Sequence, residues 1–179
     1  MATTKETGRL IEFLIIGAIV SMIGGVLMAM FTMIATVTYL HMGFFTPMYA
    51  MAAPLIGRQT LMTSMTHGLF YFALGPAVLG LVLHMMGSAF WGIIFGLIAR
   101  GLHLSGAAAV ISGLIYGLVV MLIMAYIVVP IVGAPNLLQM VGWSFLISHL
   151  LYGLPLGLWP VLRPQDWPSL LGQQMRRTA

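Results

Sequence analysis

The heptapeptide Trp91-Gly92-Ile93-Ile94-Phe95-Gly96-Leu97 decides the fold, because its theme returns twice further along the chain. Ser112-Gly113-Leu114-Ile115-Tyr116-Gly117-Leu118 repeats it, and Ser148-His149-Leu150-Leu151-Tyr152-Gly153-Leu154 repeats it with histidine in place of the first glycine. In each copy two small or polar residues stand four apart, so on an α-helix they share one face, with an aromatic residue one position before the second. Each copy lies in a long apolar run, where small residues four apart let helix backbones approach closely. The pattern is a packing code for helices in lipid.

Composition agrees with that setting. Of 179 residues, 61% are hydrophobic and 6% charged, against roughly 25% charged in a soluble domain. The chain reads as an integral membrane protein, and with no soluble stretch long enough for a second domain, residues 1–179 form one transmembrane domain. The formal net charge of +4 comes from a few Lys and Arg, which in such a chain set orientation in the bilayer rather than recruit nucleic acid. Cysteine is absent, which removes disulfides, thiolate metal ligands and cysteine nucleophiles together.

Outward from the heptapeptide, the apolar runs predict an all-α four-helix membrane bundle with helices over about 10–40, 76–100, 106–129 and 139–158. The first run is too long for a cleavable signal peptide. Glu12 lies three residues after Arg9, the spacing of a helical ion pair near the headgroups. Between helices one and two, Pro47, Pro54, Gly57 and Arg58 interrupt residues 41–67 before any run reaches spanning length, which predicts a re-entrant or interfacial segment. Pro76 marks the start of the second helix, Pro130 the stop of the third, and Gly133-Ala134-Pro135-Asn136 the next loop. Trp143 and Trp159 fall near the ends of the fourth helix, where indoles favour the interface. The tail 160–179 reads as a cytoplasmic surface segment anchored by Trp167.

Charge selects the orientation. With four spans and the amino terminus inside, Lys5, Arg9, Arg100, Arg163, Arg176 and Arg177 all lie on the cytoplasmic side and only Arg58 outside. That orientation puts Gly17, Ser21 and Gly25 of the first helix, Ser88, Gly92 and Gly96 of the second, Ala109, Gly113 and Gly117 of the third, and Gly153 and Gly157 of the fourth toward the inner half. Bulkier and more polar groups, including Met28, Thr32, Met33, Thr36, Tyr39, Met85, Met121 and Tyr126, fall in the outer half. The expectation is a bundle pinched inside and looser, with a cleft, outside.

Two histidines continue the small-residue faces, since His84, Ser88, Gly92 and Gly96 fall at four-residue steps, as do His149, Gly153 and Gly157. At 1.5 Å per residue they lie at comparable depths from the outer ends of their helices. Facing imidazoles suit a b-type haem, a pigment or a copper ion; the alternative is that each satisfies itself on a neighbouring carbonyl or hydroxyl. His41, His67 and His103 fall near water. The sixteen Met residues and the pairings His41-Met42 and His84-Met85-Met86 supply soft donors for Cu(I), although Met also fills irregular apolar space. No Asp or Glu lies deep in a predicted span, and no phosphate loop, paired carboxylates, zinc-protease motif or oriented Ser–His pair is present. No catalytic residues are assigned.

From His84 to Gly157 the order of features resembles the YagU-like family of small bacterial inner-membrane proteins. The shared features are a histidine followed by Ser and Gly (His84, Ser88, Gly92), a glycine-rich helix (Gly113, Gly117), a Pro-Gly exit (Pro130, Gly133) and a last helix bearing His149. Where that family has acidic residues shortly before the last histidine, this chain reads Trp143-Ser144-Phe145-Leu146-Ile147-Ser148. The resemblance implies a bacterial inner-membrane location and brings no established catalytic role.

Small size and minimal extramembrane mass predict a non-enzymatic accessory subunit that packs against a larger respiratory or photosynthetic complex or against itself. A cofactor held between His84 and His149 is one alternative. A small-molecule channel or carrier using the outer cleft is another.

Overall fold

The computed structural model describes residues 2–131 and 142–162. All its regular structure is helical: α1 Ala2–Thr38, α2 Thr46–Ile56, α3 Gln59–Thr66, α4 Leu74–Gly101, α5 Gly106–Ile131 and α6 Trp143–Leu162. Four stretches, Leu10–Thr38, Leu74–Gly101, Gly106–Ile131 and Trp143–Leu162, are long and apolar enough to cross a membrane. The described residues are therefore those of a helical multi-pass membrane protein.

Several boundaries differ from the sequence reading, each for a local reason. α1 starts at Ala2 because Ala, Lys and Glu are good helix formers and the polar leader continues the helix. It stops at Thr38, and the chain then turns through His41 at φ +53°. α4 begins at Leu74, two residues before Pro76, which is tolerated in the first turn because its missing N–H has no intrahelical acceptor there. α5 does not stop at Pro130. Residues Met124–Val128 form a π-turn in which the Val129 N–H reaches back to the Met124 carbonyl, and the widened turn carries the helix through the proline to Ile131. α6 runs on to Leu162 through Pro155 and Pro160. The expected loop 133–136, residues 139–141, and the tail from Arg163, with Trp167, lie outside the described residues.

Two antiparallel helix pairs make up the bundle. In the first, α1 lies against α4: a Cβ added at Gly17 would stand 2.5 Å from the Gly92 carbonyl oxygen, and one at Gly96 would stand 2.5 Å from that of Phe13. One at Gly92 would run into the Ser21 hydroxyl, and one at Gly25 into that of Ser88. In the second pair, α5 lies against α6. A Cβ at Gly113 would be 2.5 Å from the Gly157 nitrogen and 2.6 Å from the Gly153 oxygen, while Gly117 sits on the His149 carbonyl and Gly157 on Ala109 and Val110. The two pairs repeat one another, with Gly25, Ser21 and Gly17 facing Ser88, Gly92 and Gly96, and Gly117, Gly113 and Ala109 facing His149, Gly153 and Gly157.

The pairs meet along α1 and α6, where Gly24 lies 2.6 Å from the Tyr152 carbonyl oxygen by the same measure. On the other side α4 and α5, although consecutive, make little backbone approach. Side chains close that gap: Phe95, Ala99, Tyr116, Val120, Tyr152 and Leu156 form the buried core there. The Tyr116 hydroxyl donates to the Trp91 carbonyl oxygen at 2.6 Å.

α2 and α3 cap one end of the bundle. α2 has 11 residues, about 16 Å of helix and too short to span. Gly57, at φ +85°, separates it from α3. The Met48 backbone lies directly on Gly80 of α4, while the Met48 side chain packs with Ala29 and Met33 of α1. Tyr49 locks the connection to α4 by accepting the Ala73 N–H at 2.8 Å and donating to the Tyr71 carbonyl oxygen at 3.2 Å. Burial raises the Tyr49 phenol above its ordinary 10, against the opposing Ala73 hydrogen bond, so at neutral pH it keeps the proton it donates. The Thr46 and Ser64 hydroxyls bond to each other at 3.0 Å.

Trp159 is a correction to the sequence reading. It is 8% exposed, not an interfacial anchor, and packs edge-on against Phe13 with ring centres 5.3 Å apart. Its Nε1 has no hydrogen-bond partner among the described residues. Glu12 is likewise buried rather than extended outward. His41, His67 and His103 are exposed and lie outside the spans.

Candidate functional site

A cleft of about 100 Å³ opens beside the α4–α5 gap, in the half of the bundle nearer the α2–α3 cap. α4 contributes His84, Gly87, Ser88 and Trp91; α6 contributes Phe145, His149 and Tyr152; Met28, Met51 and Met124 come from α1, α2 and α5. Its surface is almost wholly apolar, so the few polar atoms that reach it matter.

Both histidines reach it. His84 is placed on α4 so that Nε2 lies 2.9 Å from the Gly25 carbonyl oxygen of α1. A carbonyl only accepts, so Nε2 carries the hydrogen and, in the neutral ring, Nδ1 keeps the lone pair. Gly25 is what allows this: without a side chain, α1 comes close enough for its carbonyl to meet the ring. His149 solves the same problem within α6. Its Nδ1 lies 2.9 Å from the Phe145 carbonyl oxygen one turn back, which leaves Nε2 with the lone pair. The Phe145 ring lies against the imidazole at 4.3 Å between centres, and the Ser148 hydroxyl shares the same carbonyl at 2.8 Å. Both imidazoles line the same cleft.

One turn below them a crossbar ties the walls together. The Tyr152 hydroxyl donates to the Ser88 carbonyl oxygen at 2.9 Å, while the Ser88 hydroxyl donates to that of His84 at 2.9 Å. In lipid such bonds are obligatory, since no water is there to replace them. Here they also fix the spacing between α4 and α6 at the level of the cleft floor.

The sequence-derived positions thus sort into two sets. Gly17, Ser21, Gly25, Ser88, Gly92 and Gly96 meet across α1–α4, and Ala109, Gly113, Gly117, Gly153 and Gly157 across α5–α6. His84 and His149 come together at the cleft. Tyr116, Tyr152, Met51, Met124 and Gly24 were not singled out for these places. Tyr116 and Tyr152 carried a visible signal, each being the aromatic residue just before a ridge glycine, whereas Met51 and Met124 have none in the sequence.

The fold and site together define a helical membrane protein that has, among the described residues, four helices able to span a bilayer and a histidine-bearing apolar cleft between them. The chain matches no family model, no curated protein and no solved structure.

Proposed function

We propose that this protein holds a small ligand or cofactor within the membrane, between His84 and His149. The observation that carries the reading is that both rings line the same cleft and each spends one nitrogen on a backbone carbonyl, which leaves the other, unprotonated in the neutral ring, free to act as a donor. Histidines that ligate metals are fixed in this way, the second nitrogen donating to a carbonyl or carboxylate that sets tautomer and orientation. Carbonyl bonding alone satisfies half of each ring and explains no more than that half. The test is an absorption spectrum and metal analysis of protein extracted in mild detergent. A chromophore or metal in the wild type that is lost in both His84→Ala and His149→Ala is the expected result; a bare wild-type protein refutes the reading.

A second reading is an accessory subunit of a larger membrane complex or a homo-oligomer, for which the apolar outer faces of the spans, open to lipid, leave room. Only 22–39% of each span is buried within the chain, and α1 leaves Ile11, Ile15, Ile19, Ile23 and Ile34 exposed along its length. The glycine ridges do not argue for it, because they face one another inside the bundle. Native mass measurement after gentle extraction tests it, and a lone monomer refutes it. In both readings the chain sits in a bacterial inner membrane, related to the YagU-like proteins, with both termini cytoplasmic and α2–α3 lying at the outer interface. The distribution of Lys and Arg supports that orientation. Because the chain has no cysteine, single cysteines introduced at Thr3, Gln59 and Thr178 report it directly. Membrane-impermeant maleimide on intact cells labels only the middle one if the orientation is right.

A further inference from the structure

We infer that the cleft is a Cu(I) site, with Nδ1 of His84, Nε2 of His149 and thioether sulfur from Met28 or Met124 as the donors. The inference deepens the ligand-holding reading above and rests on it.

Donor chemistry narrows the ligand. Every candidate donor is neutral, and no group of three His, Cys, Asp or Glu occurs among the described residues. Zinc sites want four such ligands, or three and a water, and hard cations want carboxylate oxygen. Two imidazoles joined by thioethers are a soft set that suits Cu(I). A monovalent ion is also the least costly metal charge to place in a low-dielectric site, because the desolvation cost rises with the square of the charge.

Size narrows it further. The cleft, at about 100 Å³, is smaller than the roughly 150 Å³ cavity that just admits benzene. A single ion fits that volume as it stands, whereas a porphyrin, chlorin or quinone ring would have to turn lining side chains aside. Position brings the donors together. Met28 lies one turn beyond Gly25, whose carbonyl holds His84, and Met124 opens the π-turn of α5. π-turns recur at functional sites because they re-aim side chains that an unbroken helix would point elsewhere. The Tyr152–Ser88 crossbar holds the two histidine-bearing walls at a fixed spacing one turn below.

The test is an anaerobic titration of the full-length, detergent-purified chain with Cu(I) alone, in competition with a chromophoric Cu(I) chelator. The wild type should retain one Cu(I) per chain. Met28→Leu and Met124→Leu, which conserve volume, should each leave the two-histidine site but at least one of them should weaken it on the order of tenfold to a hundredfold, the loss metal sites show when a supporting contact goes. Gly87→Leu adds its side chain where an added Cβ meets nothing within 4 Å, and should block the cleft in a folded protein. X-ray absorption of the loaded wild type should show both nitrogen and sulfur neighbours, a reading that needs no variant to fold. Binding undiminished in the His84→Ala/His149→Ala double variant, a copper site without sulfur, or no Cu(I) retained against the chelator each overturns the inference. If the protein ignores Cu(I) but takes haem or a quinone in a His-dependent way, the copper assignment falls and the ligand-holding reading stands. If it takes none of these, both fall.

Discussion

Replacing Gly113 by Ala tests the packing of α5 on α6 at a point where backbone alone crowds the glycine. The added methyl group would face three backbone atoms, the Gly157 nitrogen at 2.5 Å, the Gly153 oxygen at 2.6 Å and the Gly157 Cα at 2.6 Å. Backbone cannot rotate aside as a side chain can, so restoring ordinary contact at 3.4 Å requires α5 and α6 to part by about 0.9 Å. A gap of that size forfeits about a quarter to a half of each dispersion contact along the seam. Overpacking of this kind costs about 3 kcal/mol, the upper end of its usual range, because none of the atoms met is flexible. Alanine returns at most about 1 kcal/mol of helix propensity over glycine. The net expectation is a loss of about 2 kcal/mol, roughly thirtyfold in the folding equilibrium. Gly87→Ala is the matched control, since a Cβ there meets nothing within 4 Å, and it should gain up to about 1 kcal/mol. Equilibrium unfolding in mixed dodecylmaltoside and SDS micelles, followed by tryptophan fluorescence, reads both. Equal shifts in the two variants, or a Gly113→Ala protein as stable as the wild type, would refute the account of the α5–α6 seam.

Other consequences can be measured in the same way. Tyr116→Phe removes the 2.6 Å bond to the Trp91 carbonyl oxygen and should cost about 1 kcal/mol, within the range for interhelical bonds in lipid; an unchanged unfolding midpoint argues against a bridging role. His103 sits at φ +51° after α4, a left-handed geometry costing a non-glycine residue about 1 kcal/mol. His103→Gly should therefore stabilise by about that much, and destabilisation would show that the imidazole makes a contact worth more than the strain.

The four spans were legible because hydropathy acts on whole runs of residues, and their cores vary little with tertiary context. Boundaries and interruptions were less so. Pro130 alone looks like a stop, and only the π-turn at Met124–Val128, which depends on how α5 packs, lets the helix pass it. Residues 41–67 show their breaks in Pro47, Pro54 and Gly57, but not that Met48 docks on Gly80 to make a cap. Small residues four apart mark a face on each helix without naming the helix it meets, because pairing is a property of the assembled bundle. The same limit applies at the cleft. The four-residue steps align His84 and His149 with their ridges, yet that Gly25 and Phe145 each take one ring nitrogen is visible only in three dimensions. Trp159 misled for a related reason, since an indole near a helix end satisfies the interfacial pattern whether or not a neighbour such as Phe13 covers it.

Three of the four seams between the spans differ in kind from the last. Along α1–α4, α5–α6 and α1–α6 the backbones nearly touch at glycine, and sliding or parting them meets steep repulsion or lost contact at once. Across α4–α5 the contact is made through side chains, Tyr116 reaching the Trp91 carbonyl oxygen among them, and side chains have rotamers to exchange. The molecule resembles a book bound along α1 and α6, stiff in its covers and compliant at its fore-edge. A guest entering sideways from the bilayer would turn Tyr116 and Met124 aside while leaving every glycine contact in place.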